Sequence, residues 1–286
     1  MGGGDWTSKA FSTYSKSVGR DISSDGTLHS RYSAQDLFIS KDIQPELDPR
    51  NVIRECCDTE EHPNTIPVIL ALDVTGSMGS AAAEVAKKLN EIMTKLYEKV
   101  TDVEFLIMGI GDLAYDRAPI QVSQFESDIR IAEQLDKIYF EGGGGGNSYE
   151  SYTAAWYFGL RHTKLDCWKR NKRGIIITMG DEPLNPYLPH EKLSRITGDN
   201  LQGDVETKDL YAEAIKKFDI YHLAVNDNET SYFWHEDRIK NTYSEYLDEK
   251  HFKVVTLNNI ANAIVNIVTN ASSENITVNN NSEISW

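Results

Sequence analysis

Short runs of consecutive apolar residues recur along this chain, separated by stretches whose apolar positions repeat at helical spacing. Val68-Ile69-Leu70-Ala71-Leu72 is the first such run, and it has the character of a strand buried on both faces of a parallel sheet. The segment from Ser80 to Glu98 follows, with Val85, Leu89, Ile92, Met93 and Leu96 on one side and Lys87, Lys88, Glu91 and Lys95 on the other. This is the two-sided pattern of a helix lying on a core. Further strands are predicted at 103–108, 120–122, 174–179, 220–225 and 252–257. Helices are predicted at 128–138, 148–161, 205–218 and 236–247, with a last one ending near Thr269. Strands alternating with helices give an α/β fold: a Rossmann-like, doubly wound, mostly parallel central sheet of about six strands with helices on both faces.

This pattern occupies residues 66–270. Residues 1–65 are polar and lack a long periodic stretch. Tyr32, Leu37, Phe38, Ile39, Ile43 and Leu47 are scattered apolar anchors there, so this segment is expected to wrap the domain behind it. Residues 271–286, rich in Asn and Ser, are expected to form a flexible polar tail. A formal net charge of −15 opposes non-specific nucleic-acid binding and docking on an anionic membrane, both of which draw on Lys and Arg. The N-terminus lacks the basic and apolar blocks of a secretory signal. Three cysteines, two of them adjacent at Cys56-Cys57, do not make a disulfide framework. A cytoplasmic location is expected.

Ligands of open α/β sheets collect beyond the carboxyl ends of the strands. Three segments bring polar groups there. Asp73-Val74-Thr75-Gly76-Ser77-Met78 follows the first strand. Gly142 to Ser151 holds five glycines and then Asn147, Ser148, Tyr149, Glu150 and Ser151. Gly180-Asp181-Glu182-Pro183 follows the strand at 174–179. Oxygen donors from three loops suit a hard divalent cation such as Mg²⁺, with Mn²⁺ or Ca²⁺ as alternatives. Without cysteine or convergent histidine, zinc is disfavoured.

The Asp73-x-Thr75-x-Ser77 loop behind an apolar strand resembles the metal-ion-dependent adhesion site (MIDAS) of von Willebrand factor A (vWA) domains, and Asp181 resembles the later aspartate of that site. The likeness extends over roughly residues 66–270. It implies a protein-interaction module in which Thr75 and Ser77 bind Mg²⁺ directly, while Asp73 and Asp181 act largely through waters. A partner's Asp or Glu then completes the metal's shell. The family's second-loop threonine has no counterpart here. Glu150 is the expected replacement and Asn147 the next choice, and Glu150 acting only as a helix cap is the alternative. Tyr149, Ser148 and Glu182 are expected to face the partner. By the same resemblance the partner class is an AAA+ ATPase or a multiprotein assembly.

An enzymatic reading competes. Asp73-Val74-Thr75-Gly76-Ser77 and Gly180-Asp181 also resemble parts of haloacid dehalogenase-type phosphatases and phosphotransferases, in which Asp73 would be the nucleophile. The amphipathic helix begins too soon after Asp73 for the hairpin usual in that family. Lys169 and Lys172, the candidates for its lysine, fall in a charged stretch ahead of the strand. Asp112 and Asp116 are explained by turn chemistry, and His222, inside an apolar strand, by core packing.

Overall fold

The computed structural model describes residues 4–280 apart from 142–145, 148 and 229, with side chains described through Ser273. Six strands form the central sheet: β1 Ile66–Asp73, β2 Val103–Ile110, β3 Ile120–Val122, β4 Gly174–Gly180, β5 Phe218–Val225 and β6 Phe252–Val255. Their order is β6-β5-β4-β1-β2-β3, and every neighbouring pair is parallel except β2 with β3. From β1 the chain winds outward one way through β2 and β3, then returns to β4 and winds the other way. The crevice between the ends of β1 and β4 is therefore the topological switch point, where doubly wound sheets bind ligands.

Alternation along β1 feeds two cores. Val68, Leu70 and Leu72 join one buried cluster, while Ile69 and Ala71 join the other. Helices Gly79–Lys87, Leu89–Tyr97 and Ile260–Asn280 cover the first face. Helices Thr153–Arg161, Thr207–Ala214 and Ser231–Tyr243 cover the second. The N-terminal segment contributes Trp6, Phe11, Leu28, Leu37, Phe38 and Leu47 to the first core. Of the anchors expected there, Ile39 is instead 72% exposed. No helix among the described residues is long and apolar enough to cross a membrane.

The departures from the sequence reading have identifiable causes. The helix expected over 80–98 is broken at Lys88 (φ −95°, ψ 8°). There the Lys87 carbonyl accepts the Leu28 N–H at 3.0 Å, so a residue from the N-terminal segment enters the helical ladder. The last helix runs on to Asn280, through the start of the segment read as a tail. Ser272 and Ser273 donate their hydroxyls to the Val268 and Thr269 carbonyls, which satisfies their polar groups within the helix. Residues 281–286 lie outside the described residues. The helix expected from Ser148 begins at Thr153, that from Val205 begins at Thr207, and that from Glu236 begins at Ser231. A helix at Ser8–Ser17, a helix at His190–Thr197 and a parallel pairing of Arg54–Cys56 with Thr163–Leu165 went unpredicted.

The outer edge of β3 is closed by side chains. Arg54 donates to the Val122 carbonyl at 2.9 Å, and Gln121 exchanges hydrogen bonds with the Tyr139 backbone at 2.7 and 2.8 Å.

Leu37→Ala is expected to lower unfolding free energy by about 2–5 kcal/mol, the range for emptying a buried leucine site. Ile39→Ala should stay within about 0.5 kcal/mol. Urea denaturation of both variants measures the difference, and equal effects would show that the N-terminal segment is not part of the core.

Candidate metal centre

The switch point gathers side chains from all three loops foreseen in the sequence. Asp73, the last residue of β1, has no solvent exposure. Its Oδ1 accepts the Thr75 N–H at 2.9 Å and the Thr75 hydroxyl at 2.6 Å, the turn expected of an aspartate two residues upstream. Its Oδ2 accepts the Tyr152 hydroxyl at 2.7 Å. That hydroxyl also receives the N–H groups of Asp181 and Glu182, each at 3.2 Å. One phenol thus ties the end of β1 to the loop after β4. Gly180 makes room for it, since a Cβ there would stand 2.1 Å from the Tyr152 oxygen.

Asp181 is fully buried. Its Oδ2 accepts the Ser231 N–H at 2.6 Å, at the start of helix Ser231–Tyr243, where the helix dipole favours a negative charge. Its Oδ1 is buried without a hydrogen-bond partner. Glu182 accepts the Ser231 hydroxyl at 2.5 Å. Ser77 is half-buried, and its hydroxyl acts on the Asp181 carboxyl. Thr75 is buried.

The second loop is described only in part. Glu150 is 4% exposed, and its Oε2 is buried without a hydrogen-bond partner. Helix Thr153–Arg161 has no side-chain cap hydrogen bond, so Glu150 does not cap it in that way. Asn147 is exposed: its Oδ1 accepts the Tyr149 N–H at 3.3 Å, and its side chain bonds Asp112. Tyr149 is half-buried, with the Arg238 guanidinium 5.8 Å from its ring centroid. Ser148 and the glycines 142–145 lie outside the described residues.

Asp112 and Asp116 contribute more than turn chemistry. Asp116 accepts the Asp112 N–H at 2.6 Å, and Asp112 Oδ2 is buried and unpartnered. Both add negative potential at Glu150.

Burial raises Asp73, Asp112, Asp116, Glu150 and Asp181. For Asp73 the next cause is the charge of Asp181, opposed by the Thr75 and Tyr152 hydrogen bonds. For Asp181, the Ser231 N–H and the Ser77 hydroxyl oppose the rise while Glu182 adds to it. Glu150 is raised furthest, by burial and then by Asp73, Asp116, Asp112 and Glu182. Asp116 is pushed up to about 6, chiefly by burial. Burial and the Asp73 charge hold Tyr152 well above the usual phenol range, so its hydroxyl keeps the proton that it donates.

No Lys or Arg forms an ion pair with Asp73, Asp181 or Glu150 among the described residues. Nor, among these residues, do three His, Cys, Asp or Glu side chains gather closely enough to hold a metal by themselves. A cation here would have to draw on the Thr75 and Ser77 hydroxyls as well. The donor set is all oxygen, the chemistry of a hard divalent ion. The unpartnered oxygens of Asp181, Glu150 and Asp112 are groups that such an ion would satisfy. On both counts the residues fit Mg²⁺.

Sequence reasoning passed over Tyr152 and Ser231. Tyr152 carried a signal, an aromatic with a hydroxyl two residues beyond Glu150. Ser231 carried none, because only the crossover from β5 brings it to Asp181.

Glu150→Gln tests the electrostatics. A carboxyl whose pKa is raised on folding binds its proton more tightly in the folded state. Its contribution to stability therefore falls as pH rises above its unfolded value of about 4.3. In chelator, the variant should match the wild type near pH 4 and become progressively more stable toward pH 8, by at most about 1.4 kcal/mol per pH unit. Thermal unfolding across that range checks it, and a difference independent of pH would contradict it.

No family model matches this chain, and no curated protein matches it. Solved structures do align with it. The vWF domain of the type V pili tip protein Mfa5 from Porphyromonas gingivalis is 14% identical with a TM-score of 0.44, over 74% of this chain and 96% of that one. The pilus adhesin SpaC from Lactobacillus rhamnosus GG, in its open conformation, is 11% identical with a TM-score of 0.44, over 79% and 31%. Proximal thread matrix protein 1 from the mussel byssus is 10% identical with a TM-score of 0.44, over 73% and 46%. The match thus spans less than half the length of the last two chains. At these values the likenesses carry no argument about family or function, and the fold stands on its own strand order.

Proposed function

We propose that this chain is a metal-dependent protein-binding module that seats Mg²⁺ at the switch point and presents it to an acidic side chain of a partner. The observation that carries this reading is the set of buried carboxylates around Asp73, with unpartnered oxygens on Asp181 and Glu150 and no lysine or arginine paired to them. Uncompensated buried charge is costly unless it is neutralised by a counter-charge. Asp73, Thr75, Ser77 and Asp181 are the proposed MIDAS residues, in line with the resemblance to vWA domains. Glu150 is the proposed second-loop group, since it points inward where Asn147 is exposed. When bound, the ion supplies a Lewis-acidic position for the partner's carboxylate.

The surface beside the centre suits such a partner. Phe233 and Trp234 are exposed, their rings T-shaped at 4.9 Å, on the helix whose first N–H holds Asp181. Exposed aromatics are common anchors of protein interfaces. Tyr149 and Glu182 lie on the same side of the sheet, at the proposed rim. An AAA+ ATPase or a multiprotein assembly remains the partner class suggested by the resemblance, and a cytoplasmic setting is proposed with it. The phosphotransferase alternative requires an Asp73 oxygen free to attack. Both oxygens instead accept hydrogen bonds, from Thr75 and from Tyr152.

Calorimetric titration with MgCl₂ is expected to give saturable binding, weakened roughly tenfold or more by Asp181→Asn and by Glu150→Gln, the loss typical of one charged contact. Asn147→Ala should leave it unchanged. Partner capture from a lysate should vanish in EDTA and in Asp73→Ala, and capture indifferent to both would sink the proposal. Mg²⁺-dependent hydrolysis of an aryl phosphate that disappears in Asp73→Asn would favour the enzyme instead.

A further inference from the structure

The two edge strands of the sheet differ in their surroundings. β3 is closed by Arg54 and Gln121, whereas β6, at the other edge, borders a groove of about 480 Å³ that it shares with helix Ile260–Asn280. Tyr221 and Ile267, both core residues, supply apolar lining. Asn259, Asn262, Asn266 and Asn270 line the groove from the helix and the turn before it, and Lys250 and Lys253 line it from β6 and the turn before that. The four asparagines and Lys250 are exposed, and Lys253 is half-buried, so all are within reach of solvent. No Asp or Glu is in this lining, which sets the groove apart on a chain of net charge −15.

Asn262, Asn266 and Asn270 recur every four residues, so they share one helix face and stand about 6 Å apart along its axis. Asparagine is a weak helix former, and the stability of the helix does not explain three of them in this register. The Asn266 and Asn270 amides make no hydrogen bond among the described residues, and Lys253 makes no ion pair there. Asn262 accepts the Lys95 ammonium at 3.1 Å through its oxygen, which leaves its NH₂ group to donate. Asn259 donates to the Thr256 hydroxyl at 3.3 Å, which leaves its oxygen to accept. A primary amide carries a donor and an acceptor, the complement of the C=O and N–H of a peptide unit. An extended peptide repeats those groups on one side every second residue, about 6.6–6.8 Å apart, close to the spacing of the asparagines.

We propose that this groove binds an extended acidic peptide segment of a partner protein, its main chain held by the asparagine row and an Asp or Glu side chain meeting Lys253 and Lys250. From Asn259 to Asn270 the row spans about 16 Å, the length of about five extended residues. The net charge of the whole chain does not forbid an acidic ligand. Charges more than about 8 Å away are largely screened at physiological ionic strength, so the two lysines set the local sign. The site is independent of the metal reading, because no residue of the switch point lines it.

The test is calorimetric titration of the full chain with a capped five-residue peptide of alternating valine and glutamate. EDTA is present throughout, so that no divalent ion at the switch point takes up a carboxylate. Saturable one-to-one binding is expected. Glutamine in place of glutamate, or N-methylation of the central amides of the peptide, should each weaken it roughly tenfold or more. The double variant Asn266→Ala, Asn270→Ala and the single variant Lys253→Gln should each cost a similar factor, while Lys99→Gln, which alters an exposed lysine outside the groove, should leave affinity unchanged. The asparagines are exposed and alanine is the better helix former, so the double variant keeps its fold. No saturable binding at millimolar peptide overturns the proposal, as does unchanged affinity in the double variant. Equal binding of the glutamine peptide, or an equal loss in Lys99→Gln, overturns it as well.

Discussion

The Asp73 carboxylate ends the central strand with no contact with water, and its surroundings follow from the need to satisfy it. A buried carboxylate survives only when hydrogen bonds or counter-charge replace its hydration. Thr75 supplies two of those bonds from the same loop, and Tyr152 supplies the third from the start of a helix, 79 residues further along. Because the Tyr152 hydroxyl also receives two N–H groups of the loop after β4, the position of Asp73 and that of Asp181 are set together. The glycine at 180 is a requirement of that arrangement. Two loops that are remote in sequence thus behave as one rigid frame around a shared negative potential.

The fold was readable because the sheet is buried on both faces. Strands such as Val68–Leu72 and Gly174–Met179 show continuous apolar runs, and the helices between them show a single apolar stripe. The carboxyl-end loops were readable for the same reason, since Asp73 and Asp181 stand where those runs stop. What escaped was everything decided by distant partners. The break at Lys88 depends on Leu28, and the seat of Asp181 depends on Ser231. Trp6 and Phe11 sit in a segment whose composition suggests little order, yet both are core residues. The Ser-rich start of the presumed tail is helical because its hydroxyls bond backward along the helix, a possibility that composition does not register.

The second loop shows how little motif spacing says about surroundings. Spacing put Glu150 before Asn147 as the second-loop ligand, and in the structure Glu150 is buried while Asn147 is exposed. Spacing gave no hint that Asp112 and Asp116 would press on Glu150 from the loop after β2. The carboxyl edge is therefore more acidic than its three motifs suggest.

The covered flank of β3 bears on how this molecule can meet others. Many sheet proteins recruit an extended peptide by letting it pair as an additional strand, which needs a row of free backbone groups. Here Arg54 and Gln121 occupy that flank, and the strand is only three residues long. Growth of the sheet in that direction, whether by a ligand or by a second copy in an aggregate, would have to displace a buried guanidinium first. Recognition on that side is thereby steered away from main-chain pairing and toward the loops at the strand ends.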